Sequence, residues 1–367
     1  MGRSVAAVIC AGASVRAALY ALPSLQATLT DRPELVTAVS SFRRVQEGAF
    51  LFERTGSPYA GDVFHQPPLV FAAFYPLVSL APSALRYALA CAAFICVDVL
   101  IAVGFARLCR RTLQLEEGRV RRFQGQEIWL RAIVASMLCV AVGVYLSVYP
   151  FFLIVPIVLL LRAAKSSKST GSNDEDQSEE GKRSLVSLSI SCFVAFGVWL
   201  GVLLYLSWSL SGDWEFLEET YVWVVKYSDL TPDVGIFWYF FMEVFDRFIP
   251  YFLFVMHLHP CIYVVPIYLR MAHRPQAFAC ALIGIFSLFQ AYPTFGDFGF
   301  FLAMMALHPK TIMSSGNANF FYNQTLVYQI FNSQIITAFV GASMKRDKDV
   351  QKYRAARLQE VDAVKES

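Results

Sequence analysis

An all-α bundle that crosses a membrane several times is the fold class this sequence predicts, on three observations. The 367 residues are 56% hydrophobic and only 16% charged, against about 25% charged in a typical soluble domain, which is more apolar surface than one core hides. Apolar runs approach the roughly 20 residues a helix needs to cross a bilayer at 4–22, 84–106, 128–148, 185–208, 248–270, 276–291 and 318–340. Lys and Arg cluster between these runs, where short basic loops stay cytoplasmic. The whole chain, 1–367, reads as one multi-pass domain.

The N-terminus, MGRSVAAVICAGASVRAALYALP, has the charge and length of a signal peptide, but Arg16 interrupts its apolar stretch. A retained first span or signal anchor is expected. From Ser40 to Leu69, Phe42, Val45, Ala49 and Phe52 recur at helical spacing opposite Arg43, Arg44, Gln46, Glu47 and Glu53. That pattern predicts an amphipathic helix lying in the interface. GSPYAGD follows with turn residues, and the double proline at 67 and 68 breaks helix before PPLVFAAFYPLVSLAP. This stretch, with its four prolines, is too short and too broken for an ordinary crossing, so it reads as re-entrant or interfacial.

The run 84–106 then returns to the cytoplasm, where Arg107, Arg110, Arg111, Arg119, Arg121 and Arg122 sit. The run 128–148 crosses outward and YPFFLIVPIVLLL comes back. The segment 163–184 is charged, poor in aromatics and without periodicity, so it predicts a disordered cytoplasmic loop. The run 185–208 goes out, 248–270 returns, RMAHRP is cytoplasmic, and 276–291 places Tyr292–Asp297 (YPTFGD) on the far side. The dozen residues from 298 to Pro309 are short for a crossing, so either they are re-entrant or a crossing is absent. With 345–367 as a basic cytoplasmic tail, the loop before 318–340 falls on the far side as well.

That loop raises the clearest functional question. SSGNANFFYNQ carries Asn317 and Asn319 at a membrane border with no charge, where Lys or Arg would ordinarily reach the headgroups. Asn offers one acceptor and two donors on a short stalk, suited to a neutral polar ligand or to its own backbone. The aromatic-rich region before residue 250 reads mainly as a membrane belt. Glu243, Asp246 and Arg247 are expected on one short helix there, and charges in such a run usually pair or line a polar cavity. His257 and His259, two apart, point to different helix faces and share no metal. The eight cysteines lie in or beside apolar runs without metal-ligand spacing and read as small buried hydrophobes. No nucleophile with base and orienter stands out. The Asn323 sequon opens an expected buried helix, where modification is not anticipated.

Several strings, in order, resemble a known family: SSFRRVQEG, GSPYAGDVFHQPPL, VYPFFLIVP, DLTPDVGIFWYFF with its acidic continuation, YPTFGD and GNANFFY. They resemble the U subunit of GPI transamidase (phosphatidylinositol-glycan class U) over nearly the whole chain. The resemblance implies the architecture of lipid-linked-sugar glycosyltransferases, with luminal amphipathic and re-entrant helices, in the endoplasmic reticulum membrane. It implies a non-catalytic subunit that holds the GPI glycolipid beside a cysteine-protease-like catalytic subunit and the precursor protein's C-terminal signal. Neither cofactor nor nucleic acid is implied. Asn317 and Asn319 match the family's luminal asparagine pair, with Phe320, Phe321 and Tyr322 as the apolar side of a GPI-binding site; Asp297, Glu243 and Asp246 are candidates for a luminal cavity. The sequence departs from the family pattern between the basic loop and VYPFF, and between Leu307 and Ser314, where members carry further apolar sequence.

The competing reading is a lipid-phosphosugar-dependent mannosyltransferase of GPI synthesis, which shares the SPY…PL pattern. Such an enzyme needs paired carboxylates in its first luminal loop; here Asp31 and Glu34 are three apart and Asp62 stands alone. A transporter would show inverted repeats, and none is evident.

Overall fold

The computed structural model describes residues 3–116, 126–165, 174–308 and part of 337–354. The chain divides into two compact units, Met1–Leu307 and His308–Ser367. In the second unit the described residues between 337 and 354 are helical. The first unit is all-α among the described residues, and the chain is a polytopic membrane protein.

The helix α1 (Arg3–Tyr20) turns through 90° into α2 (Pro23–Thr30), which begins at a proline free of any helical hydrogen-bond duty. Then comes α3 (Phe42–Thr55), the expected amphipathic helix. Ser41 caps it through the Arg44 N–H, and Gly56 ends it in the left-handed region, at φ 84°, that glycine adopts without strain. Its apolar stripe buries Val45 and Ala49 against Tyr59, Phe64 and Phe71. Phe71 belongs to α4 (Pro68–Tyr75), which runs into a π-turn at Pro76–Leu80 and matches the short proline-broken element expected there.

Among the described residues, four helical stretches are long and apolar enough to cross: Ala84–Thr112, Trp129–Leu146, Arg183–Ser211 and Asp246–Met271; the bent α1–α2 pair, counted as one span, makes a fifth. They belong to α5 (Ser83–Glu116), α6 (Gln126–Leu146), α8 (Asp174–Ser211), and the pair α12 (Ile249–Ile262) and α13 (Val264–Met271). Between α6 and α8, Tyr149–Leu153 forms a 3-10 turn leading into α7 (Ile154–Lys165). Met137, Ala141, Ile154 and Cys192 knit α6, α7 and α8 into one core.

After α8 the chain makes a short continuous helix of α9 (Glu215–Leu217), a π-turn at Glu218–Val222 and α10 (Trp223–Lys226), then α11 (Phe237–Glu243). The bundle closes with α14 (Pro275–Phe289) and α15 (Phe295–Ala306). Phe278, Leu282 and Phe286 of α14 pack on Leu159 of α7 and Val264 of α13.

Several expectations need correction. The segment 276–291 yields only the 15 residues of α14, shorter than a span, and Gln290 leaves the helix in extended backbone. Within 163–184, α7 runs to Lys165 and α8 begins at Asp174; residues 166–173 lie outside the described residues. Glu243 and Asp246 do not share a helix. Extended Val244 and Phe245 separate the end of α11 from a 3-10 turn at Asp246–Phe248. All eight cysteines are free, but only Cys192 and Cys280 are buried, while Cys10, Cys96 and Cys139 are exposed. In a membrane, an outward thiol meets hydrocarbon, so apolar character does not require burial within the protein.

Candidate functional site

At the end where α6 and α8 terminate, segments distant in sequence meet around two adjoining cavities. Each string is fixed there by its own local chemistry. In DLTPDVG, Asp229 closes an Asx-type turn: its Oδ1 accepts from the Thr231 N–H at 3.0 Å and from the Thr231 hydroxyl. Its Oδ2 accepts from Arg44 Nη2 at 2.7 Å, and Arg44 Nη1 donates to the Val63 carbonyl at 3.3 Å. One guanidinium of α3 thus ties the 56–67 loop to the 228–235 loop. Burial pushes the Asp229 carboxyl upward, but the Thr231 donors and Arg44 outweigh it and hold it below the ordinary value. Asp233 goes the other way: burial raises it, against the Gly235 N–H at 2.6 Å and the Tyr227 hydroxyl at 3.3 Å.

YPTFGD docks on that turn. The Tyr292 hydroxyl accepts from the Asp229 N–H at 3.1 Å and donates back to the Asp229 carbonyl at 3.3 Å. Pro293 approaches Gly235 so closely that an added Cβ would stand 2.8 Å from the proline ring. Thr294 and Asp297 form a reciprocal capping box that starts α15. The Tyr292 ring stacks between Trp223 at 5.4 Å and Tyr227 at 4.7 Å, and Trp223 stacks in turn on His65 at 3.7 Å. Tyr227 sits in the left-handed region, at φ 51°, a conformation costing about 1–2 kcal/mol for a side-chain-bearing residue. The stack and the Asp233 bond hold it there.

His65 of GSPYAGDVFHQPPL is completely buried as a side chain. Its Nδ1 donates to the Glu219 carbonyl at 2.8 Å, an acceptor on the π-turn, so the neutral ring carries its proton on Nδ1. Nε2 has no hydrogen-bond partner among the described residues, though the Asp62 carboxylate stands 3.5 Å away. That contact lacks hydrogen-bond geometry, and burial keeps the imidazole below its usual pKa despite the Glu219 carbonyl. Gln66 donates to the Val39 carbonyl at 2.9 Å, and Tyr59 donates to the Gln66 carbonyl at 2.7 Å. VYPFF contributes Tyr149, which donates at 3.2 Å to Nδ1 of His257, whose Nε2 donates to the Val225 carbonyl at 3.0 Å.

Two cavities result. The first, ≈ 360 Å³, is mostly apolar, lined by Val39, Pro67, Leu146, Val148, Phe152 and Val224 with His65, His257, Gln290, Thr294 and Asp297 among them. The second, ≈ 420 Å³, is of mixed character and carries charged groups in its wall: Asp31, Arg43, Arg44, Glu47, Asp229 and Asp233, with Thr231. Thr37 and Tyr292 belong to both. A greasy compartment therefore adjoins a charged one, an arrangement that accommodates an amphiphile.

Of the site residues drawn from the sequence, Asp297 lines the apolar cavity, with its Oδ2 bonded to the Thr294 N–H and hydroxyl, both at 2.8 Å. Glu243 and Asp246 are exposed and line neither cavity. Asn317, Asn319, Phe320, Phe321 and Tyr322, with the Asn323 sequon, lie outside the described residues. Sequence reasoning missed Arg44, His65, Asp229, Tyr292 and His257 as site residues. All but His257 stand in strings that carry the family resemblance, SSFRR, HQPP, DLTPD and YPTFGD, but no local pattern in these strings says that they converge.

Among curated proteins, the GPI transamidase component GAB1 of Saccharomyces cerevisiae is 26% identical over 92% of this chain and 93% of its own length. The human GPI-anchor transamidase component PIGU is 24% identical over 95% of each chain. The GAB1 homolog of Schizosaccharomyces pombe is 26% identical over 87% of this chain and 88% of its own. The alignment to the budding-yeast protein spans 406 positions, more than the 367 residues present, so that relative carries residues this chain lacks. The model of the family described as GPI transamidase subunit PIG-U matches residues 10–127 and 123–314, two stretches that meet inside the first region of departure. Covering most of the sequence, that match makes this chain a member of the GPI transamidase subunit PIG-U family.

Proposed function

We propose that this protein is the non-catalytic subunit of a GPI transamidase complex that binds the GPI glycolipid and presents it for attachment to precursor proteins in the endoplasmic reticulum membrane. The observation that carries the reading is the pair of adjoining cavities: SSFRRVQEG, GSPYAGDVFHQPPL, VYPFFLIVP, DLTPDVG and YPTFGD each contribute residues to one or the other. A GPI lipid has hydrocarbon chains and a glycan-phosphate head, and an apolar compartment beside a charged one supports a role in holding such a molecule. In this reading Asn317 and Asn319 bond the head, and Phe320, Phe321 and Tyr322 flank its apolar part. A cysteine-protease-like subunit performs the transamidation on the precursor's C-terminal signal.

The test is complementation of cells lacking their own U subunit, with surface GPI-anchored protein and precursor cleavage as readouts. The chain should restore both, and Asn317→Asp or Asn319→Asp should assemble yet leave precursor uncleaved. An asparagine serving only as a helix cap tolerates Asp, so full activity of both variants overturns the lipid contact. Mannose transfer from a polyprenyl phosphate donor by the purified chain would overturn the subunit role itself.

A further inference from the structure

On the outside of the bundle, α1 and α5 carry an ion pair that the rest of the described chain does not cover. Arg16 Nε stands 3.1 Å from Asp98 Oδ2, and the two side chains are 46% and 44% exposed. The same Nε donates to the Tyr20 hydroxyl at 3.2 Å, and the guanidinium lies 5.2 Å over the Tyr20 ring. Asp98 occupies the middle of the apolar stretch Ala84–Thr112, about 21 Å from either end at a 1.5 Å rise per residue. That is hydrocarbon depth. Charges at such depth face a bundle interior or a watery cavity, and this pair lines neither cavity described above.

Its bonding capacity is only partly used. Its contacts run through Arg16 Nε and Asp98 Oδ2, and among the described residues the Nη1 and Nη2 donors and Asp98 Oδ1 have no hydrogen-bond partner. The neighbouring surface is apolar and open: Leu89, Val97, Ile101 and Leu108 recur at helical spacing on α5 and are exposed. An added Cβ at Gly104 or Gly12 meets nothing within 4 Å. Lipid tails cover the leucines without penalty but offer nothing to a guanidinium or a carboxylate. A headgroup does not reach the middle of α5, and neither does a soluble protein.

We propose that the α1–α5 face is the docking surface for a transmembrane helix of another subunit, one that brings a hydroxyl, amide or carboxylate side chain to the depth of Arg16 and Asp98. This rests on the subunit reading above. A photo-crosslinking residue placed at Val97 or Ile101 in the full chain, within the assembled complex, should capture one other subunit, while the same probe at Val194 on α8 should not. Arg16→Leu combined with Asp98→Leu keeps both helices apolar and inserted. It should lower that crosslink about three- to tenfold, the range interhelical polar contacts supply in membranes. An undiminished crosslink overturns the polar contact. Capture of lipid alone, or of another part of this chain, in a complex that co-purifies intact overturns the docking surface and leaves the subunit reading standing. A chain that co-purifies with no other protein overturns both.

Discussion

Truncating Arg44 should loosen the whole cavity end of the molecule, and the size of the effect follows from its contacts. Arg44 donates to Asp229 at 2.7 Å and to the Val63 carbonyl at 3.3 Å, and the side chains of the ion pair are only 25% and 18% exposed. Exposed pairs contribute about 0–1 kcal/mol, whereas breaking a buried one costs about 3–5. This pair lies between. A charge-assisted bond contributes about 1.5–3 kcal/mol and the carbonyl bond about 1, so Arg44→Ala should cost roughly 2–4 kcal/mol. A double-mutant cycle with Asp229→Ala isolates the pair, with an expected coupling of about 1.5–3 kcal/mol, read from SDS-unfolding titrations in mild detergent. The pH dependence supplies an independent check. Because the folded carboxyl titrates below the ordinary 3.8, its contribution is complete above that value and lost as pH falls through the lower folded one. Additivity within about 0.5 kcal/mol would show that solvent screens the pair and would refute the reasoning.

Three further outcomes are expected. Gly235→Ala places a Cβ 2.8 Å from Pro293 and 2.9 Å from Asp233 Oδ1, so the two loops must separate; limited proteolysis should find the 228–235 loop newly sensitive, and unchanged protection would contradict this packing. Phe237→Ala empties the site of a fully buried ring and should cost about 3–5 kcal/mol in the same SDS titration. His65 is held neutral below its unfolded value of 6.5, so between those two values the unfolded chain binds more protons and stability rises with pH. His65→Phe keeps a ring against Trp223 and should flatten that rise in melts taken from pH 5 to 7.5.

What the sequence discloses and what it hides divide along physical lines. Periodicity disclosed α3 in full, because Phe42, Val45, Ala49 and Phe52 are a local code that needs no partner to read. Pro67, Pro68 and Pro76 disclosed the broken element around α4 for the same reason. The cavities were not legible. Arg44 looked like one more charge on the solvated face of an amphipathic helix, and nothing within a helical turn of it says that Asp229, on another loop, is its partner. His65 and Tyr292 likewise gain meaning only when Trp223 stands between them. Breaks in the helical pattern misled in the other direction: Glu243 and Asp246 fell into one apolar run by hydropathy, while extended Val244 and Phe245 separate them.

The regions where this chain departs from its relatives bear on whether the site is complete. The lining of the two cavities comes from residues 30–47, 65–67, 146–152, 220–233, 257–261 and 290–297. The departures lie between the basic loop and Tyr149, and between Leu307 and Ser314, and the alignment to the budding-yeast relative carries more positions than this chain has residues. Among the described lining residues, only Leu146, Ser147 and Val148 border a departure, and they sit where α6 ends against Tyr145, whose hydroxyl accepts from the Leu69 N–H at 3.0 Å and bonds Ser207 at 2.6 Å. Ser207 in turn donates to the Leu203 carbonyl at 2.8 Å, so this network anchors the end of α6 to α4 and α8 whatever length of sequence precedes α6. The described lining residues therefore stand outside the shortened regions.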